Sequence, residues 1–313
     1  MATLTARISL KGDEPDGPED YLSTSLGVIF PDDIVNQHGD AEHSLLYASP
    51  KLPKTLLIEL ADPEGETDRR LFSHYLWNAS LLLAELIERD SLDDDEEEKQ
   101  DRGLGGDISF DTRGLNTLEL GAGTALPSIM AGLLGAAGVV VTDYPAPAVM
   151  KTLRENVARN IKPDLAPVGK SSLVTTSILV EGHEWGVFDS SSSSEAFPSS
   201  HAHLSDRLFV ADCLWMPWQH ENLRRSIRYF LKKTAEARAW VVAGFHTGRA
   251  KMAPFFDAKA LREEGGVEVE RMWERDCDGV EREWDSERED DITERKRWLV
   301  VCVLKRCEGM VDV

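Results

Sequence analysis

Between residues 115 and 304 the chain alternates between short, nearly unbroken apolar runs and longer stretches whose apolar positions recur every three or four residues. LNTLEL (115–120) predicts a buried strand, and LPSIMAGLLG (126–135) predicts a helix with Pro127 in its first turn. GVVVTDY (138–144) is a β-branched strand, PAVMKTLRENVARN (147–160) an amphipathic helix, and SLVTTSILV (172–180) a third strand. DRLFVADCLW (206–215) is the fourth strand, and HENLRRSIRYFLKK (220–233) has helical spacing. ARAWVVAGF (237–245) is the fifth, followed by MAPFFDAKALREE (252–264); GVEVERMW (266–273) and RWLVVCVL (297–304) close the series. Strand and helix alternating at this spacing predict an α/β fold, a doubly wound, mostly parallel sheet wrapped by helices. Only the charged segment 274–296 joins the last two strands, so they are expected to pair antiparallel at one sheet edge.

Two segments break the pattern. DSLDDDEEEKQDRGLGGD (90–107) is acidic and then glycine-rich, and DSSSSSEAFPSSHAHLSD (189–206) is serine-rich. Both read as surface insertions within one domain, too polar to fold against a core and dispensable for folding. His201 and His203 in the second have no further ligand nearby in sequence and read as loop histidines, so no metal is expected.

Hydrophobic residues make up 42% and charged residues 29%, as in ordinary globular proteins. The sign is unbalanced: 56 acidic against 35 basic residues give a formal charge of −21. Such a surface repels phosphate backbones, which argues against nucleic acid, and it favours a basic partner or cationic substrate. Solubility alone is the plainer account of it. Cys213, Cys277, Cys302 and Cys307 form no CxxC and no zinc spacing, and are expected to be reduced thiols. The N-terminal residues MATLTARISLKGDEPD lack a signal-peptide core, and the longest apolar run (126–141) is glycine-broken and short for a membrane span. A soluble, cytoplasmic protein is expected; oligomeric state is not legible.

The candidate chemistry lies in LELGAGTALP (118–127), where a strand runs into Gly121-Ala122-Gly123 and then a helix. Glycines at such a corner admit a ligand close to the backbone. A dinucleotide fingerprint needs a small residue at position 126, where this chain has Leu126, and Glu119 is a poor neighbour for a pyrophosphate. A carboxylate there suits an ammonium group instead. Asp143, ending the second strand, can accept the hydroxyls of a ribose. Ribose at one end and ammonium at the other describe S-adenosylmethionine.

LELGAGTALP, VTDYP, HYLWNAS, GHEWG and ADCLW together resemble the seven-strand S-adenosylmethionine-dependent methyltransferases. The resemblance is to the family-16 lysine-methyltransferase-like group and its fungal "nicotinamide N-methyltransferase-like" members, over roughly residues 70 to 306. It implies a seven-stranded sheet with a reversed last strand, in a catalytic domain at 71–313 with an N-terminal extension, 1–70, packed on it. It further implies that Gly121, Ala122 and Gly123 pass under the methionine part of the cofactor, and that Asp143 holds the ribose. Trp77 is implied to cover the cofactor from the helix preceding the first strand, Trp185 to lie beside the adenine, and Ala211 to mark where the fourth strand passes. Asp212-Cys213-Leu214-Trp215 resembles the group's D-x-x-aromatic motif, with Trp215 replacing the commoner Phe or Tyr. A carboxylate at Asp212 can accept hydrogen bonds from an incoming amine, and the Trp215 face favours the cation formed.

Three readings follow for function. The first is a protein N-methyltransferase acting on a lysine or an N-terminal amine, as in relatives that modify translation factors. The second is a small-molecule N-methyltransferase acting on a ring nitrogen such as that of nicotinamide. The third is a non-catalytic cofactor-binding module, against which the intact motifs and Asp212 argue. Presenting a neutral lysine at pH 7 costs about 4.6 kcal/mol and a neutral α-amine about 1 kcal/mol, whereas a pyridine nitrogen needs no deprotonation. Asp212 and an acidic rim therefore serve an amine, and the first reading is preferred. His246, Arg249 and Lys251 form a basic island on the same rim that either meets an acidic group on the substrate or bonds local carbonyls.

Overall fold

The computed structural model describes residues 3–11, 35–39, 43–61, 75–92, 103–188 and 196–312. Short strands come first: β1 (Ile8–Leu10), β2 (Gln37–His38), β3 (Leu45–Tyr47), β4 (Leu56–Ile58) and β5 (Leu76–Trp77). β1, β3 and β4 form an antiparallel sheet, and β2 pairs with β5. The main sheet then takes β6 (Asn116–Leu120), β7 (Gly138–Asp143), β8 (Ile178–Gly182), β9 (Arg207–Ala211) and β10 (Arg238–Gly244), followed by β11 (Val267–Asp276), β12 (Glu281–Glu283) and β13 (Trp298–Arg306). Its order is β12-β11-β13-β10-β9-β6-β7-β8, with the five strands β6 to β10 parallel and β13, β11 and β12 added through antiparallel pairings.

Alternation along each strand sorts the core onto two faces. Phe209, Ala211, Trp240 and Val242 pack with helices Asn78–Leu92, Leu126–Leu133 and Pro147–Asn160 on one side. Leu208, Val210, Val241 and Ala243 pack with helix His220–Phe230 and the helical turns of 249–265 on the other. β6 is flanked by β7 and β9, so the strand order reverses beside it and a crevice opens at the carboxyl ends.

The helix at 147–160 has the expected bounds, with Val149, Leu153 and Val157 buried. The third strand does not: β8 starts at Ile178, and Ser171–Leu173 is a 3-10 turn. Thr175 explains the late start, since its hydroxyl binds the Ala137 carbonyl and accepts from the Ser177 N–H, bending the chain before the ladder begins. The expected antiparallel end pair exists, but β13 is interior, and β12 adds an eighth strand at the edge. The hairpin that supplies β12 turns at Gly279, whose φ is +88°.

The two expected insertions are narrower than their composition implied. Residues 93–102 and 189–195 lie outside the described residues, but the flanks of both segments pack. Buried Asp90 accepts from the Phe110 N–H at 2.7 Å, and Asp206 accepts from the Asn116 N–H at 3.0 Å. Phe197 is buried in a helix, Ala196–His201, with its ring 5.8 Å from that of Phe230. His201 and His203 are not solvated loop residues: their Nδ1 atoms bond the carbonyls of Phe197 and Leu231.

The highly charged segment 274–296 turns its charges inward. Arg249, 4% exposed at its side chain, pairs with Glu274 at 2.6 Å and Asp290 at 2.8 Å, both buried. Arg282 joins the same two acids and lies over the Trp298 ring. Breaking a buried ion cluster by neutralising one member leaves the remaining charge uncompensated, at a cost of about 3–5 kcal/mol. Glu274→Gln is therefore expected to lower the melting temperature by many degrees in a calorimetric scan; an unchanged scan contradicts this account.

Candidate functional site

At the carboxyl ends of β6, β7 and β9 lies a cavity partly open to solvent. Trp77, Gly121, Ala122, Gly123, Asp143, Trp185, Ala211, Asp212 and Trp215 line it. Residues as far apart as 77 and 215 in sequence thus converge on one space.

The corner after β6 is built from left-handed residues: Gly121 (φ +69°), Gly123 (φ +55°) and, at the start of the helix, Ala125 (φ +64°). A side chain at Gly121 is excluded for a second reason. Its Cβ would lie 2.8 Å from Cys213 Sγ and 2.9 Å from the Trp185 ring. The loop is tied to β7 twice: the Ala122 N–H donates to the Thr142 carbonyl, and the Gly123 N–H donates to Asp143 Oδ2 at 2.7 Å. Asp143 Oδ1 accepts from the Tyr144 N–H. Burial outweighs these bonds and pushes the Asp143 carboxyl up to about 6.

Glu119 does not line the cavity, which corrects the expectation that its carboxylate meets an ammonium group directly. Its Oε2 turns under the loop and accepts from both the backbone N–H and the hydroxyl of Ser128 in the following helix. Its Oε1 is buried with no partner among the described residues, and burial pushes the carboxyl up to about 8. The reason is positional: a residue one before the strand end faces the helix that packs there, not the opening.

Asp212 follows β9 in the left-handed region (φ +57°), which after glycine a short polar side chain tolerates best. Its own N–H donates to the Val242 carbonyl, and its Oδ1 accepts from the Gly244 N–H at 3.2 Å. Burial raises its carboxyl, opposed by His246 and that N–H. His246 Nδ1 lies 3.8 Å from Asp212 Oδ1, and its ring stacks on Trp77 at 4.6 Å. The basic island therefore dissolves: His246 faces the Asp212 end, Arg249 is spent on Glu274 and Asp290, and Lys251 is exposed.

Trp77 is not on the helix. It lies in β5, one residue before helix Asn78–Leu92, paired with Gln37 of β2. Asn78 holds this junction: its amide donates to the Val35 carbonyl, its Oδ1 contacts His38 Nε2 at 2.7 Å, and its N–H donates to Asn36. The remaining lining residues were missed in sequence, although most adjoin a residue already singled out. Thr124 and Tyr144 follow the glycine loop and Asp143, His183 and Glu184 precede Trp185, and Met216 and Gln219 follow Trp215. Chain adjacency at a strand's carboxyl end was the available signal. Cys213, next to Asp212, carried the same signal, and its thiol donates to the Leu120 carbonyl beneath Gly121.

The described residues contain no cluster of ligands able to hold a metal ion and no helix long and apolar enough to cross a membrane. All four cysteines are buried and free.

Similarity to known proteins agrees with this geometry. A curated Gibberella zeae protein, "Protein N-terminal and lysine N-methyltransferase EFM7", is 30% identical over 66% of this chain and 70% of its own. Its Aspergillus fumigatus counterpart is 29% identical over 67% and 70%. Among solved structures, a Streptococcus mutans chain assigned as a SAM-dependent methyltransferase superposes with a TM-score of 0.51 at 10% identity, covering 92% of this chain and 65% of that one. A further chain, assigned as a methyltransferase complexed with SAH, superposes with the same score, identity and coverage, which supports the fold. Residues 65–259, well over half of the chain, match the model of the family described as lysine methyltransferase, and the protein belongs to that family of S-adenosylmethionine-dependent methyltransferases.

Proposed function

We propose that this enzyme methylates protein amines, either an N-terminal α-amine or a lysine side chain. The observation that carries the proposal is the acceptor end of the cavity. Asp212 is buried there beside Trp215, and the described lining includes Asp143, Glu184 and Asp212 but no Lys or Arg. Such a pocket rewards a cation and offers little to a neutral ring. The matched relatives in Gibberella zeae and Aspergillus fumigatus carry names that specify protein N-terminal and lysine methylation.

S-adenosylmethionine, when bound, supplies a methyl group activated on a sulfonium. In this reading residues 71–313 carry the methyltransferase domain and residues 1–70 are an extension, of which the described segments 3–11, 35–39 and 43–61 pack on the domain and the rest lies outside the described residues. Gly121, Ala122 and Gly123 pass under the methionine end, and Glu119 supports it from beneath. Asp143 accepts the ribose hydroxyls, Trp185 borders the adenine, Ala211 marks the passage of β9, and Trp77 covers the whole. Asp212 accepts hydrogen bonds from the incoming amine, Oδ1 being held by Gly244. Trp215 walls the pocket. Transfer is an in-line displacement, so orientation and exclusion of water supply most of the acceleration. The acidic surface favours a basic partner.

Incubating the enzyme with methyl-labelled cofactor and a cell lysate is expected to place label on amines in the protein fraction. Label confined to small molecules overturns the proposal. Asp212→Ala is expected to lower turnover by orders of magnitude with S-adenosylhomocysteine affinity nearly unchanged; full activity removes Asp212 from its role.

Asp143→Ala is expected to weaken S-adenosylhomocysteine binding by about 1.5–3 kcal/mol in calorimetry. In the wild type, affinity should fall as pH drops below about 6, where the Asp143 carboxyl of the empty protein protonates. A flat profile from pH 5 to 7.5 contradicts the ribose assignment.

Glu119 makes a prediction of opposite sign. Because its carboxyl is raised from 4.5 to about 8, the empty protein binds a proton there that the unfolded chain releases. Stability from this group is therefore present below about 4.5 and lost as pH rises to 8. Glu119→Gln, measured without cofactor, should gain melting temperature over the wild type as pH rises through that window. Parallel curves contradict it.

A further inference from the structure

The cavity mouth continues outward into an aromatic surface that the pocket itself does not use. The turn Pro217–Gln219 carries Trp218, 72% exposed, its ring perpendicular to that of Trp215 with centroids 6.3 Å apart. Trp215 lines the cavity and Trp218 does not. An exposed indole forgoes burial that a core position would return, so its place at the mouth calls for a partner.

The surroundings state the partner's charge. Glu184 lines the cavity and is exposed at its rim, and Glu221, also exposed, lies in the first turn of the helix after Trp218. The two loops are joined into one rim. Gly186 (φ +79°) lies so close to Asn222 that a Cβ would sit 2.5 Å from its Oδ1, and the Asn222 amide donates to Gln219 Oε1 at 2.8 Å. The Gly186 N–H is in turn held by Ser226 Oγ at 2.9 Å. The rim thus offers an exposed indole together with the carboxylates of Glu184 and Glu221, in a chain of net charge −21.

We propose that Trp218 and the rim carboxylates dock the substrate segment next to the methylated amine, and that this segment carries a second cation, a lysine or arginine within a few residues of the acceptor. The inference rests on the protein-amine reading and deepens it. A guanidinium or ammonium over the indole face is attracted by the ring quadrupole, and the exposed carboxylates Glu184 and Glu221 add attraction for the same cation on this rim. The acceptor amine enters past Trp215 while its neighbour stays outside on Trp218.

The test uses synthetic ten-residue peptides, either with a free N-terminal amine or N-acetylated with one acceptor lysine. Each is made with Lys, Arg or Gln two or three residues from the acceptor. With saturating cofactor, the wild type is expected to show a KM several-fold lower for the peptides with a second cation. Trp218→Ala should abolish that preference with kcat and S-adenosylhomocysteine affinity within twofold of wild type. Trp218→Phe should retain part of it, and Trp218→Arg should reverse it. A wild type indifferent to the second cation, or a preference that survives in Trp218→Ala, overturns the inference while leaving protein-amine methylation intact. Transfer to none of the peptides also overturns it, and the lysate fractionation then decides the broader reading separately.

Discussion

Glu119, Asp143 and Asp212 stand at or beside the carboxyl ends of three neighbouring strands, and burial drives each of them towards its neutral form. Close packing of parallel strands against helices leaves no room for compensating lysines or arginines on that rim, and the described lining holds none. Backbone N–H groups take up part of the load: Gly123 and Tyr144 on Asp143, Gly244 on Asp212, Ser128 on Glu119. The left-handed turns at Gly121, Gly123 and Asp212 are what aim several of those groups. The rigid frame thus holds Asp143 and Asp212 at the opening with no Lys or Arg in the described lining, a setting that favours a ligand bearing positive charge. In the proposed reading the cofactor's sulfonium and the ammonium formed on methyl transfer carry such charge.

Towards the β11–β12 edge of the sheet the same problem is solved in the opposite way. There Glu274 and Asp290 are just as deeply buried, but Arg249 and Arg282 lie against them. Nothing is left over for a ligand, and the cluster fastens the segment after β10 to the β11–β12 hairpin. Acids with cations build structure here; acids without them build a site.

What could be read from sequence follows the same division. Strand-end residues with a one-dimensional signature, such as Gly121-Ala122-Gly123, Asp143 and Asp212, were legible because a left-handed turn or an acid at a strand's end narrows the possibilities. The direction in which Glu119 points was not, since one residue of offset along a strand exchanges the opening for the neighbouring helix. Arg249 looked like a rim cation because its partners lie 25 and 41 positions away, beyond any local pattern. Phe197 was hidden by its serine-rich context, although one aromatic is enough to pin a short helix against Phe230. His246 was singled out without a role, because its stacking on Trp77 joins segments that sequence keeps apart.

The β2–β5 pairing has a practical consequence. Trp77 forms part of the cavity wall, yet its backbone ladder and the bonds of Asn78 run to residues 35–38, which precede the family match beginning at 65. A fragment cut where similarity begins would keep every motif and discard the strap behind that wall. The indole would then lose that backbone support while still stacking on His246, whose neighbour is the buried acid Asp212. Similarity marks where the family's shared residues start; the boundary of a working cavity lies some thirty residues earlier in this chain.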